Sequence, residues 1–283
     1  MQLNAVRVRL SISLFPNTRT DESLSEEMKE RHALGQDSGR WVKTKLPEKY
    51  LKAIAAHAGF VRKWNETLTL PWEKGERLLP TAAQTKYAEQ FKDHHAKFVE
   101  LIGDFVAVYP EALIAAQIMH NGMFEPDDYP PVAAVSALFT MGITYEPVPA
   151  AGHFVETLAG EAVAKMREDL EARNTERVQY AVQDLWKRVL GPVLHLAEML
   201  ANPEPCIRES LVGNVTEIVG LIPELNLTGD SQLNAVAQAI RGLTTGLSTG
   251  ALKESPVLRL ETAQKALAIA QQFGQMGARR FAL

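Results

Sequence analysis

The chain has 283 residues, of which 46% are hydrophobic and 23% are charged, and its formal net charge is −4. A chain of this length and composition buries a substantial core in one or two domains. Because neither sign of charge dominates, the overall balance does not indicate nucleic acid or an acidic membrane as a partner. The single cysteine, Cys206, excludes an internal disulfide framework and is typical of a reducing compartment.

The first residues predict a β-strand. Residues 6–14 read VRVRLSISL, so that apolar side chains alternate with Arg and Ser and lie on one face of a half-buried strand. The alternation leaves no apolar block of the kind that a signal peptide needs. No apolar run elsewhere approaches the length of a membrane span. We therefore expect a cytoplasmic protein.

A single strand is not stable alone, and residues 138–147 are its predicted partner. There Phe139, Met141 and Ile143 alternate with small or polar residues. Pairing of the two segments predicts a small two-stranded antiparallel β element in an N-terminal α+β head.

The rest of this head is predicted to consist of turn-rich segments and helices. Residues 17–46 are polar and rich in turn residues, which indicates a loop or a weakly ordered segment. Residues 70–80 predict a compact loop or a short hairpin. One helix begins after Pro47, and a long one covers residues 81–109. Pro110 is expected to start a further helix.

A single long helix is predicted over residues 153–201, which corresponds to roughly 75 Å. Pro192 is expected to kink or break it, because proline removes a backbone hydrogen bond and clashes with the preceding turn. The polar residues 171–177 indicate a solvated middle turn between two packed ends or, alternatively, a hinge or a partner-binding segment. The second half of the helix carries an apolar stripe that we assign to oligomerisation. The residues of this stripe are Val178, Val182, Leu185 and Val189.

Three helices, near residues 206–222, 231–246 and 256–275, are predicted after the long helix. The expected fold is therefore mainly α, with a small two-stranded antiparallel β element in an N-terminal head, a long central helix and a C-terminal helical bundle. The expected domains are the head (1–150), the central helix (151–202) and the C-terminal helical region (203–283).

Sequence motifs for chemistry are absent. His94 and His95 are adjacent, so on a helix they point about 100° apart and cannot share a metal. No His-Glu-x-x-His, Cys pair or Gly-x-Ser-x-Gly occurs. The Gly-rich residues 242–250 lack the Lys of a phosphate-binding loop and follow a helix. We therefore predict a non-enzymatic protein with no catalytic residue, metal or cofactor.

One stretch, residues 31–78, is more basic than the rest of the chain. It contains ten Lys and Arg against five Asp and Glu, interleaved with aromatic residues that include three of the four tryptophans. Cations that pair with phosphates and rings that stack on bases are typical of single-stranded nucleic-acid binding. The alternative is a solvated helix face over aromatic core residues. The candidate nucleic-acid ligands are Arg40, Trp41, Lys43, Lys45, Arg62, Lys63, Trp64, Trp72, Lys74 and Arg77.

Several short motifs occur in a distinctive order. They are the strand ending LSISL (10–14), the KLP helix start (45–47), GERLLP (75–80), DYP (128–130) and PVP (147–149), ahead of the long helix. This order resembles a family of bacteriophage and mobile-element proteins without assigned function, often encoded near MoxR-type ATPases and recombination genes. The resemblance covers roughly residues 1–200. Its motifs are structural, so it implies a setting in the bacterial host cytoplasm and supplies no catalytic residue.

Two functions of different class follow. The first is a non-enzymatic interaction or scaffold protein of a phage or mobile element that acts as a homo-oligomer and binds a protein partner. The resemblance implies a MoxR-type ATPase or a host protein as that partner. The alternative is an accessory factor of DNA replication or recombination that binds single-stranded DNA through residues 31–78.

Overall fold

A computed structural model of the chain describes residues 3–149, 161–204 and 207–280. Residues 153–160 of the predicted long helix, the expected boundary at residue 150 and Cys206 lie outside the described residues. Within the described residues the protein is mainly helical, as predicted, with nine α-helices and six β-strands.

The main sheet has four strands, β1 (Ala5–Ser13), β4 (Leu70–Glu73), β5 (Glu76–Pro80) and β6 (Thr140–Pro147). Their order across the sheet is β4-β5-β1-β6. The predicted neighbours, β1 and β6, do lie side by side, but the prediction of only two strands is wrong. The hairpin β4–β5 extends the sheet, because Gly75 adopts a φ of 81° at its turn and β5 pairs antiparallel with β1.

A second, two-stranded sheet lies where the sequence indicates a loop. Strands β2 (Thr18–Asp21) and β3 (Trp41–Thr44) pair antiparallel and are joined through helix α1 (Glu22–Arg31). The carboxylate of Asp21 caps α1 by accepting from the backbone N–H of Leu24 at 3.0 Å. The sequence does not reveal these strands, because β2 reads TRTD without an apolar residue and the apolar residues of β3, WVKT, are adjacent instead of alternating.

Packing divides the chain into two compact units. Unit 1 comprises residues 1–9, 65–87 and 144–283, and unit 2 comprises residues 10–64 and 88–143. This division does not coincide with the three consecutive segments expected from the sequence, since each unit is assembled from separated parts of the chain.

Helices α2 (Lys52–Leu68) and α3 (Gln84–His120) supply most of the core of unit 2, together with the short α4 (Val132–Val135). Helix α3 continues through Pro110, so the predicted end at residue 109 is wrong. Its neighbours Tyr109 and Ala112 are fully buried, and the burial of this face outweighs the loss of one backbone hydrogen bond. The largest buried side chains around them include Phe98 and Phe105.

Unit 1 is a helical bundle whose longest helix packs on strand β4. Helix α5 (Glu161–Ala201) has 41 residues, about 62 Å, and packs against β4 and the helices that follow it. It runs through Pro192, so of the expected kink or break at this proline the break is wrong, and residues 171–177 continue the helix. The later helices are α6 (Glu209–Leu225), α7 (Ser231–Thr244), the unforeseen short α8 (Thr249–Glu254) and α9 (Pro256–Arg280).

The apolar stripe assigned to oligomerisation is part of this core. The side chains of Val178, Val182, Leu185 and Val189 are all buried within the chain itself, where α5 packs on α6 and α9. The assignment to a subunit interface is therefore wrong for these four residues. An apolar stripe has the same appearance in the sequence whether its cover comes from the same chain or from another.

We predict that Leu185→Asp unfolds unit 1. Leu185 is 1% exposed, so an aspartate there buries a charge without a partner, at a cost above about 4 kcal/mol. Leu185→Met, which nearly conserves volume, should cost less than about 1.5 kcal/mol. Circular dichroism during thermal unfolding measures both variants. A folded Asp variant that only loses mass in light scattering would contradict the burial and restore the interface assignment.

Candidate interaction surface

The structure commits four of the ten predicted nucleic-acid ligands to internal contacts. The clearest is Lys43 in β3, whose side chain is 5% exposed. Its Nζ donates to the carbonyl oxygen of Met123 at 2.6 Å and to Oδ2 of Asp128 at 3.2 Å. Arg19 in β2 also pairs with Asp128. Lys43 therefore belongs to a buried ion pair within unit 2 and is not presented to a phosphate.

Asp128 is held in its charged form. Burial by itself raises the pKa of this carboxyl, but the hydrogen bonds and charges of Arg19 and Lys43 outweigh burial, and the pKa lies below its ordinary value. The ion pairs of Asp128 join the two-stranded β2–β3 sheet to the segment after α3, so they fix this sheet in unit 2.

Two further candidates, Trp72 and Arg77, have structural roles in unit 1. The ring of Trp72 is buried, and the guanidinium of Arg177 lies 5.2 Å from its centroid. Arg77 donates to Oγ1 of Thr69 at 2.6 Å. Arg77 and Arg188 both donate to the carbonyl oxygen of Thr69, which directly follows α2. Burial lowers the pKa of Arg77, and the nearby charge of Arg188 lowers it further. These arginines neutralise the negative end of α2.

Trp64 belongs to an aromatic cluster between α2 and α3 in unit 2. Its Nε1 donates to Oε1 of Gln90 at 2.7 Å, and its ring lies edge-on to His94 with the centroids 4.8 Å apart. The exposed ring of Phe60 is 5.4 Å from His94, and Nε2 of His57 lies 2.9 Å from the carbonyl oxygen of His94. Burial and the neighbouring His57 lower the pKa of His94.

The remaining candidates are more accessible. Lys45 is half-buried with its Nζ 6.0 Å from the ring centroid of Phe15, and Arg62 donates to the carbonyl oxygen of Ile12 at 3.4 Å. Arg40, Trp41, Lys63 and Lys74 are exposed.

Two concave regions lie in unit 2. A polar cleft of about 350 Å³ surrounds the Asp128 ion pairs, and its four carboxylates outnumber its two cations. An apolar groove of about 550 Å³ opens beside β1 and α2. Its floor consists of Leu14, Phe15, Ile54 and Phe139, which also belong to the core of unit 2 or pack against it.

The most exposed apolar surface of unit 2 lies on the second half of α3. Ile114 is 60% exposed, Ile118 is 77% exposed and Met119 is 45% exposed. With Ala107 and Val108 they occupy one side of the helix, within an arc of about 140° at 100° per residue. Clustered large apolar side chains of this exposure are characteristic of an interaction site, whereas single ones are ordinary.

The first half of α3 continues the same exposed face with acidic residues. Glu89, Asp93, Glu100 and Asp104 lie within the same arc, and the one cation among them, Lys97, pairs with Glu100 at 2.7 Å. Glu111 lies within the apolar second half, between Val108 and Ile114, and accepts from the hydroxyl of Tyr50 at 2.8 Å. We call this face, residues 89–119, the α3 ribbon.

Sequence analysis missed the α3 ribbon, although a signal was present. Residues 112–119 read ALIAAQIM and are apolar almost all round the helix, which is more than one buried face requires. The predicted helix end at Pro110 obscured this excess.

In unit 1, α9 exposes Val257, Leu260 and Leu267 at a spacing of three and seven residues. Gln264 interrupts this seam between Leu260 and Leu267, and Gln271 follows it, so the seam is less apolar than the second half of the α3 ribbon.

Among the described residues, no group of three or more His, Cys, Asp or Glu is arranged to hold a metal ion. None of the helices in the described part of the chain combines the length and the apolar character needed to cross a membrane. No protein-family model, curated protein or solved structure matches this chain.

We predict that Asp128→Asn destabilises unit 2 by about 3–5 kcal/mol, because it leaves the buried ammonium of Lys43 without a carboxylate partner. Lys43→Met should cost less, because Arg19 still pairs with Asp128. The double variant Lys43→Met/Asp128→Asn should lose less than the sum of the two. Urea unfolding measures this double-mutant cycle. Additive losses would show that the two side chains are not coupled.

We also predict that His94 makes stability depend on pH. A lowered pKa in the folded state means that the unfolded state binds the proton more readily, so stability is lost as pH falls below the ordinary value of 6.5. Between about pH 7.5 and 5, the unfolding free energy should fall more for the wild type than for His94→Gln. An imidazole pKa at or above 6.5 in an NMR titration would contradict this.

Proposed function

We propose that this chain is a non-enzymatic, mostly helical interaction protein that binds a protein partner through the α3 ribbon. The observation that supports this most is the exposure of Ile114 and Ile118, one helical turn apart on a rigid helix. Burial of such a side chain contributes about 1.5–3 kcal/mol. Ile114 and Ile118, together with Met119, therefore supply the centre of a protein interface.

The packing of α3 also suits this role. Phe105, Tyr109 and Ala116 hold its opposite face in the core of unit 2, so binding to the ribbon needs little ordering of the backbone. A partner helix would pack along such a face as amphipathic helices pack into apolar grooves.

The nucleic-acid alternative has less support. Lys43, Trp64, Trp72 and Arg77 already bond or stack inside the fold. Stacking of bases needs accessible rings and phosphate contact needs accessible cations. The α3 ribbon itself carries four carboxylates in its first half and repels phosphates.

The resemblance to the phage and mobile-element family suggests a MoxR-type ATPase as the first partner to test. Oligomerisation of the chain is also part of this proposal, with the α9 seam as its candidate apolar surface, since the α5 stripe is buried.

The test is photo-crosslinking in the cells that make the protein. Benzoylphenylalanine replaces Ile114 or Ile118, and a matched control replaces Tyr180, an aromatic residue that is 57% exposed on α5. We expect discrete protein adducts from the two α3 positions and none of the same mass from the control. Identical adducts from Tyr180, or no discrete adduct from either α3 position, would overturn the proposal.

A further inference from the structure

The chemical character of the α3 ribbon changes along its length, from acidic in the first half to apolar in the second. On this face the acidic half, residues 89–104, presents four carboxylates and one lysine, and Lys92 lies about 40° outside the arc. The apolar half, residues 107–119, has one carboxylate, Glu111, and no cation. Both halves share one face of a single continuous helix. The ribbon extends over about 45 Å, which equals the length of a partner helix of about 30 residues.

The charges of the ribbon argue against a second copy as its occupant. In a parallel pair, the carboxylates of Glu100 and Asp104 would face their own counterparts, and like charges in contact are unfavourable. In an antiparallel pair, the carboxylates would lie on Ile114 and Ile118 and lose water without a partner. Neither orientation satisfies both halves.

The same grading argues against a lipid surface. The cytoplasmic leaflet is anionic and attracts Lys and Arg, whereas the acidic half would be repelled from it. An apolar half that is flanked by carboxylates therefore suits a basic protein segment better than a membrane.

We propose that the α3 ribbon binds an amphipathic helix of a different protein whose contact face is basic over one half and apolar over the other. The basic half pairs with Glu89, Asp93, Glu100 and Asp104, and the apolar half packs on Val108, Ile114, Ile118 and Met119. Either chain direction of the partner satisfies this order. The inference rests on the proposed function, because it names the class of partner that the same surface takes.

The test uses two fluorescein-labelled helical peptides of about 30 residues with identical composition. In the graded peptide, Lys and Arg occupy one half of a face and Leu the other half; in the mixed peptide, the same residues alternate along that face. Fluorescence anisotropy with the full-length protein measures Kd. We expect the graded peptide to bind at least about tenfold more tightly, with an affinity that falls as salt screens the acidic half.

Two protein variants test the two halves of the ribbon. Ile118→Asp should abolish binding. The triple variant Asp93→Lys/Glu100→Lys/Asp104→Lys should weaken the graded peptide at least about tenfold. Its matched control is Glu217→Lys/Glu254→Lys/Glu261→Lys, which makes the same change in net charge at exposed positions of unit 1 and should leave Kd unchanged. Circular dichroism confirms that each variant is folded.

The outcomes separate this inference from the proposed function. Equal binding of both peptides, or equal effects of the two triple variants, would overturn the inference of a partner helix with a basic half and an apolar half. Either result would do so even if the photo-crosslinker at Ile118 still yields a protein adduct. A dimer in light scattering that Ile118→Asp dissociates would identify a second copy as the occupant and would also overturn it. Absence of both peptide binding and protein adducts would overturn the surface altogether.

Discussion

The burial of one face of α3 is the constraint on which unit 2 depends. Phe98, Phe105, Tyr109 and Ala116 recur at helical spacing and are almost fully excluded from water. Because 3.6 residues make a turn, fixing this face inward also fixes residues 89–119 of the opposite face outward. The surface that we assign to binding is thus a geometric consequence of the core.

Some charged side chains of this protein form contacts within the fold, and others remain exposed to water. The local composition assigns Lys43 and Arg77 to a ligand. In the structure Lys43 holds the β2–β3 sheet in place. Arg77 neutralises the end of α2. Internal use of these cations removes them from the surface, whereas the carboxylates of the α3 ribbon stay in water. Local charge counts therefore describe recognition poorly until burial is known.

Elements with a strong hydrophobic period were predicted correctly from the sequence. Features that depend on tertiary packing were not. The alternation in β1 and β6 identified both strands and their adjacency, and the long helices were recognised in type. Pro110 and Pro192 were overvalued as stop signals, because burial of the surrounding helix face outweighs one lost backbone hydrogen bond. The stripes of α5 and α3 are alike in sequence, and only tertiary contacts decide that Leu185 is covered while Ile118 is exposed.

An exposed apolar strip carries a risk of unwanted association, and the composition of the ribbon limits that risk. Ile114 and Ile118 adjoin Glu111 and the acidic half, so two identical ribbons cannot meet without placing carboxylates against each other or against isoleucine. The residues that keep the face soluble therefore also select its partner, since only a helix with cations in the matching half removes the electrostatic penalty while covering the isoleucines. In this arrangement solubility and specificity arise from the same carboxylates.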